Sequence, residues 1–227
     1  MRAKMSAKSA PMRKHDPEQA PTKFGEQVTA DHIIAQDVVD ERVLGDRTAL
    51  IMLDRATKWL DACPLLTKSA LDTANALKDF LGPKDKIESF YSNNSPELKK
   101  VAHDNGWEHT TSTPGRPETN RVAERAVRSV VEGTRTALEH AGLPARWWCF
   151  ACKQFCFAKN TAVIDGASAW EHRHNKGQFK GPQLPFGCLI DFKATPFLGK
   201  PGPKFDPKAI PGTFLCYHVL PGRRWQR

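Results

Sequence analysis

Three positions in this sequence have the residue types and placement for metal-ion chemistry: Asp31, Asn93 and Glu124. Asp31 stands inside the apolar, β-branched run QVTADHIIAQDVV. An acid within a buried strand needs a hydrogen-bonding partner or a cation. Asn93 follows Phe90 and Tyr91 in "YSNNSPEL", where a short strand should run into a helix. Glu124 falls in "RVAERAVR", in the first turns of a long helical stretch. If the strand carrying Asp31 lies beside the strand before Asn93, a helix packed across their ends brings the three side chains together. Hard divalent cations take oxygen ligands, charged ones above all. The amide carbonyl of Asn93 can touch such an ion but brings no charge. Ordinary structural roles stand beside this one: Asp31 as a core carboxylate satisfied by hydrogen bonds, and Glu124 as an i,i+4 partner of Arg128. Glu97, a turn beyond Asn93, reads as an acid placed favourably near a helix N-terminus, and His32 and His109 as structural or surface residues.

The elements that would position these residues follow from the pattern. Strands are predicted over 27–39, 48–54 and 58–65, the last two joined by a short loop, forming an antiparallel meander. Over 69–81 the period becomes helical, with Ala70, Leu71, Ala74, Ala76, Leu77 and Phe80 on one face. A short strand is predicted at 87–91. Ser95 is expected to cap a helix over 95–105, with Pro96 at its first position. Another strand follows at 107–112. A loop at 114–117 leads into a long helix reaching about His140, and an aromatic-rich helix covers 145–161. Beyond Ile164 the chain is Gly/Pro-rich, with β-like runs at 185–194 and 212–219. The order gives a mixed α/β class: a five-stranded sheet flanked by helices, with a small β-rich C-terminal appendage. The expected units are a basic, disordered segment 1–23, a core domain 24–164, and a linker with a small basic β-rich region over 165–227.

Composition narrows the class. The chain has 227 residues, 40% of them hydrophobic, so it can bury one full core. No apolar run is long enough to span a bilayer, and the basic N-terminus lacks a following apolar stretch, so neither a membrane nor a secretory signal is expected. Cys149, Cys152 and Cys156 have no second Cys or His pair at zinc-finger spacing and read as small apolar core residues. Reduced thiols and an intracellular location fit this usage. The formal charge is +9. The first 24 residues hold six Lys/Arg against two Asp/Glu, and the last 35 hold seven against one, leaving the middle near neutral. Basic ends on a compact domain suit a polyanion such as DNA or RNA, although basic tails also serve solubility.

The motifs together are more specific than any one residue. "TADH", "YSNNSPEL" and "STPGRPETNRVAERAVR" resemble the catalytic core of retroviral-type integrases, particularly those of copia-type retrotransposons. "IMLDRATKW" is similar to that family's second-strand segment, and "PFGCLIDFKA" and "KFDPKAIPGTFLCYHVLPGRRW" look like the stretch after its core, so the resemblance covers roughly 24–225. It implies an RNase H-like fold in which two aspartates and a glutamate hold Mg²⁺ or Mn²⁺ for cutting and joining DNA, at positions matching Asp31, Asn93 and Glu124. Two such ions would activate the attacking hydroxyl and stabilise the leaving oxygen. DNA, as retroelement ends and target, and a second copy of the chain are the implied partners, and a nuclear location if it functions. Arg116, Arg121, Arg125 and Arg128, with Lys204 and Lys208, are candidate DNA-binding residues, or else a solvated basic face. Lys200, Arg223 and Arg224 are similar, less specific candidates.

Departures from the family matter as much. Asn93 stands where the family has its second aspartate, so one of three charges is missing and cation binding is expected to weaken, with losses of orders of magnitude in rate. The Asn93–Glu124 interval is a few residues short of the family spacing, and Arg121 replaces the usual glycine. The upstream zinc module is absent and the sequence ends abruptly at Arg227, leading us to expect a polyprotein fragment. Two readings result: an integrase-like polynucleotidyl transferase impaired by Asn93, or a non-catalytic nucleic-acid-binding or assembly module retaining the fold. An RNase H-like nuclease or transposase of another branch fits the C-terminal motifs less well.

Overall fold

A computed structural model describes residues 20–35, 43–113, 120–193, 205 and 208–225. Its centre is a five-stranded sheet ordered β3-β2-β1-β4-β5, from β1 (Gln27–Ile34), β2 (Thr48–Asp54), β3 (Leu60–Leu65), β4 (Ser89–Ser92) and β5 (Glu108–Thr111). β2 runs antiparallel to β1 and β3, while β1, β4 and β5 run parallel to one another. The meander and the two later strands are thus as expected. β1 ends at Ile34, and residues 36–39, which the sequence assigned to this strand, lie outside the described residues.

Helices cover both faces of the sheet, which explains why β2 reads TALIMLD with almost no polar break. Leu50 and Met52 face a core with Leu77 and Phe80 of α1 (Ala70–Leu81) and Leu98 and Val101 of α2 (Pro96–Asp104). Ala49 and Ile51 face the other way, against Ala126 and Val130 of α3 (Arg121–Ala141) and Cys149, Cys152 and Cys156 of α4 (Trp148–Thr161). The three cysteines are therefore core residues, and all six in the chain are free. Burial pushes the Cys149 thiol up to about 11, keeping it protonated and unreactive.

A single 3-10 turn at Ala145–Trp147 opens α4. The sequence reading missed a short helix, α5 (Ala169–His174), whose Ser168 and Glu171 form a reciprocal capping box. The separate two-stranded sheet pairs β6 (Leu189–Phe192) with β7 (Ile210–Thr213). The chain then returns to the main core. Trp225 packs at 5.3 Å from Phe179 and 5.2 Å from Tyr217, ring centre to ring centre. Gly82, at the end of α1 with φ +72°, lies so near this return that a side-chain carbon there would stand 2.7 Å from the Gly222 backbone. Among the described residues no helix is long and apolar enough to cross a membrane.

Candidate functional site

The parallel ladder between β1 and β4 ends with Ala30 opposite Ser92. The next residue on each strand is Asp31 and Asn93, so the two leave the ladder side by side. The Asn93 Nδ2 amide donates to Asp31 Oδ1 at 2.6 Å, and the His32 backbone N–H donates to the same oxygen at 2.8 Å. From the start of α3, Asn120 Nδ2 donates to Asp31 Oδ2 at 3.3 Å. Glu124, one turn further along α3 and exposed, lies near enough for its charge to act on Asp31. The structure thus places Asp31 and Asn93 in direct contact, with Glu124 close enough to act on Asp31 through its charge but not bonded to either. Burial raises the Asp31 carboxyl above its ordinary value, with the His32 N–H and Asn120 amide opposing the rise and Glu124 adding to it.

Asn93 has a second bond that the sequence did not reveal. Its Oδ1 accepts from the Ser95 backbone N–H at 3.1 Å, an Asx-type turn at the entry to α2. Ser95 occupies the N-cap position, but its hydroxyl makes no capping bond and is buried without a partner. The capping bond expected of Ser95 is therefore not made, and Asn93 instead ties down the Ser95 backbone just before α2.

The residues present do not fit the three-carboxylate set that a two-ion site needs. Among the described residues no group of three or more His, Cys, Asp or Glu could hold a metal ion. Asp31 and Glu124 are two carboxylates, and the Asn93 amide turns its NH₂ toward Asp31 and its oxygen toward Ser95. The N–H donors around Asp31 supply the positive potential that a cation would. Glu97 is no substitute: its Oε1 stands 2.8 Å from Lys68 Nζ and 3.6 Å from His32 Nδ1. His32 Nε2 meets the Thr73 hydroxyl at 3.2 Å. Burial, with Lys68 adding to it, pulls the His32 imidazole down to about 4, so it is neutral near pH 7. His109 is structural as well, with Nε2 2.9 Å from the Ser92 hydroxyl and its ring 5.4 Å from Phe90.

Asn120 is the site residue that sequence reasoning passed over. It precedes Glu124 by four positions and so shares its helical face, which is the signal that could have found it. Its Oδ1 is buried with no partner. Arg121, Arg125 and Arg128 are exposed on α3, opposite its buried stripe of Ala123, Ala126, Val130 and Thr134. Lys208 is also exposed, whereas Arg116, Lys200 and Lys204 lie outside the described residues. Arg223 points inward and pairs with Asp61 and Asp79, which removes it from the candidates for DNA contact.

No protein-family model matches the chain. Over 111 residues it is 34% identical to the retrovirus-related Pol polyprotein from transposon RE1 of Arabidopsis thaliana, a match covering 46% of this chain and 8% of that protein. The corresponding protein from transposon RE2 of the same plant is 33% identical over 111 residues, with the same coverage. The Pol polyprotein from transposon TNT 1-94 of Nicotiana tabacum is 36% identical over 129 residues, covering 54% of this chain and 9% of that protein. The matches thus span under a tenth of these relatives' length. Among solved structures, the catalytic core domain of BIV integrase superposes with a TM-score of 0.48 at 16% identity, over 65% of this chain and 92% of that one. The HTLV-2 integrase catalytic core domain, solved with magnesium, gives 0.49 at 14% identity, over 67% and 97%. The sequence relatives are retrotransposon Pol polyproteins, and the five-stranded sheet with helices on both faces is the mixed α/β arrangement that the sequence order predicted.

Proposed function

We propose that this relative of retrotransposon Pol polyproteins is an integrase-like DNA-binding core whose metal-dependent cutting and joining of DNA is impaired by Asn93. The observation that carries this reading is the 2.6 Å bond from the Asn93 amide to Asp31. At the position where the resemblance calls for a second charged ligand, a neutral group donates to the first. Phosphoryl transfer asks the protein mainly for placement and negative charge around its ions, and this site lacks one charge and has turned a ligand oxygen away. What remains is the fold, the exposed arginines along α3 and the basic chain ends, which suit binding to DNA ends and target. Assembly with a second copy, and work in the nucleus of the host cell, belong to the same proposal.

The test is Mn²⁺-dependent strand transfer on oligonucleotide ends by the native chain and by Asn93→Asp. We expect background activity from the native chain and a gain in the variant. Native activity above background and equal to that of the variant would overturn the impairment. If both bind DNA while folded but stay inert, the non-catalytic binding or assembly module is the better description.

A further inference from the structure

We propose that the cleft around Arg173 binds a singly charged oxyanion, a phosphodiester group of a nucleic-acid strand. This cleft lies away from Asp31, toward the other end of β1: Phe24 leads into that strand, and Thr57 sits in the turn between β2 and β3. The inference does not rest on the catalytic state of the Asp31 site.

Arg173 is the last-but-one residue of α5, and its side chain is 1% exposed. The guanidinium carbon stands 3.9 Å from the centre of the Phe24 ring, 4.7 Å from Trp59 and 5.1 Å from Phe80. These rings occupy its faces, which leaves its edge for hydrogen bonds. On that edge Nη2 donates to the Phe80 carbonyl at 2.5 Å. Among the described residues the acid paired with it, Asp85, is 3.9 Å from Nη2, beyond hydrogen-bond length. Nε and Nη1 have no hydrogen-bond partner among the described residues. Buried donors and buried charges are costly unless satisfied, and burial accordingly pulls the Arg173 guanidinium down to about 10, against the pull of Asp61 and Asp85.

The space beside Arg173 is a cleft of about 720 Å³, whose lining includes Thr22, Lys23, Thr57, Asp85, Glu171 and Asn175. Lys23, exposed, brings a second cation. Asp85 and Glu171 set an upper limit on the charge of the guest, because a dianion would meet two carboxylates where a monoanion meets the same two with half the repulsion. A phosphodiester carries one charge per group. In a strand its neighbouring groups can reach Lys23 while one accepts from Arg173, which fits a chain of formal charge +9.

The experiment uses the full chain, with the ¹⁵N–¹H signal of the Arg173 Nε followed by NMR and identified by its loss in Arg173→Lys. Dimethyl phosphate is the probe, with acetate and a short oligodeoxynucleotide in parallel arms. We expect a saturable shift of this signal with dimethyl phosphate, a weaker response to acetate, and competition by the oligonucleotide. Lys23→Gln, at an exposed position, should weaken oligonucleotide binding several-fold with the fold intact. No saturable shift at Arg173 overturns the site. Acetate binding as tightly as the diester overturns the ligand class in favour of a carboxylate-bearing peptide, and failure of the oligonucleotide to compete overturns the strand as source. If Arg173→Lys does not fold, the remaining assigned Nε signals identify Arg173 by exclusion, and the Lys23→Gln comparison stands unchanged.

Discussion

At Asn93 one amide makes two bonds of opposite sense, donating to Asp31 Oδ1 and accepting from Ser95 N–H. An aspartate could keep the second bond, but it would set one carboxylate oxygen against another at the first. Two carboxylates that close do not both ionise without a cation or a shared proton. Asn93→Asp should therefore lose on the order of 2 kcal/mol of stability at neutral pH in the presence of EDTA and recover it with Mn²⁺, while the native chain unfolds at the same temperature in both. Thermal unfolding with and without the cation measures this, and equal stabilisation of both proteins by Mn²⁺ would count against the amide as a cation surrogate. The buried His32 gives a second residue-level expectation. Its folded value, about 4, lies below the unfolded 6.5, so between these the unfolded chain binds a proton that the folded chain refuses. Stability is then complete above pH 6.5 and is lost as pH falls toward 4, at up to about 1.4 kcal/mol per pH unit. His174, also pulled down to about 4 by burial and by Arg173, acts with the same sign. Urea unfolding at a series of pH values should show a shallower slope for His32→Asn, and an unchanged slope would mean His32 is protonated in the fold.

Among the elements, legibility followed the strength of the period. β2, α1 and α3 were readable because each presents a run of apolar residues at its own spacing, and Ser69 caps α1 through the Asp72 N–H as its type suggests. Ser95 looked equally suited to cap α2, yet its hydroxyl makes no capping bond, and what holds the helix entry is the Asn93 oxygen accepting from the Ser95 N–H. The placement of Asp31 beside Asn93 could be inferred from strand order, but the direction of the amide could not, since it depends on contacts across 62 residues. α5 was missed because six residues carry little period, although Ser168-x-x-Glu171 was a visible capping signal. α3 also carries an element-level expectation. Arg121, Arg125 and Arg128 lie on its exposed side, so replacing all three by glutamine should weaken DNA binding without loss of helix. The slope of log affinity against log salt should shallow by about 0.9 for each phosphate contact removed. A slope identical to the native one in a salt titration would show that this face is only solvated.

On the scale of the whole molecule, the C-terminal segment is tied to the sheet by charges that no local pattern announces. Arg223 joins Asp61 of β3 through Nε and Asp79 of α1 through Nη1, across 162 and 144 residues. The Arg223 and Asp61 side chains are 11% and 8% exposed. A buried pair of this kind contributes little over an apolar replacement, but breaking it from one side leaves an uncompensated charge. Here the cation belongs to the tail, Asp61 is buried and Asp79 is part-exposed, so removing the cation strands the Asp61 carboxylate above all. Arg223→Met should therefore destabilise the protein by about 3 kcal/mol, whereas the same change combined with Asp61→Asn and Asp79→Asn should recover most of that loss. Urea unfolding of the single and triple variants, and of the Asp61→Asn, Asp79→Asn pair alone, measures the coupling directly. The recovered variant should also keep Trp225 against Phe179 and Tyr217, seen as unchanged tryptophan fluorescence, because the rings dock the tail independently of the charges. If the single change costs little, the aromatic contacts alone hold the tail; if the triple change fails to recover, the ion pairs fix its path as well as balance its charge.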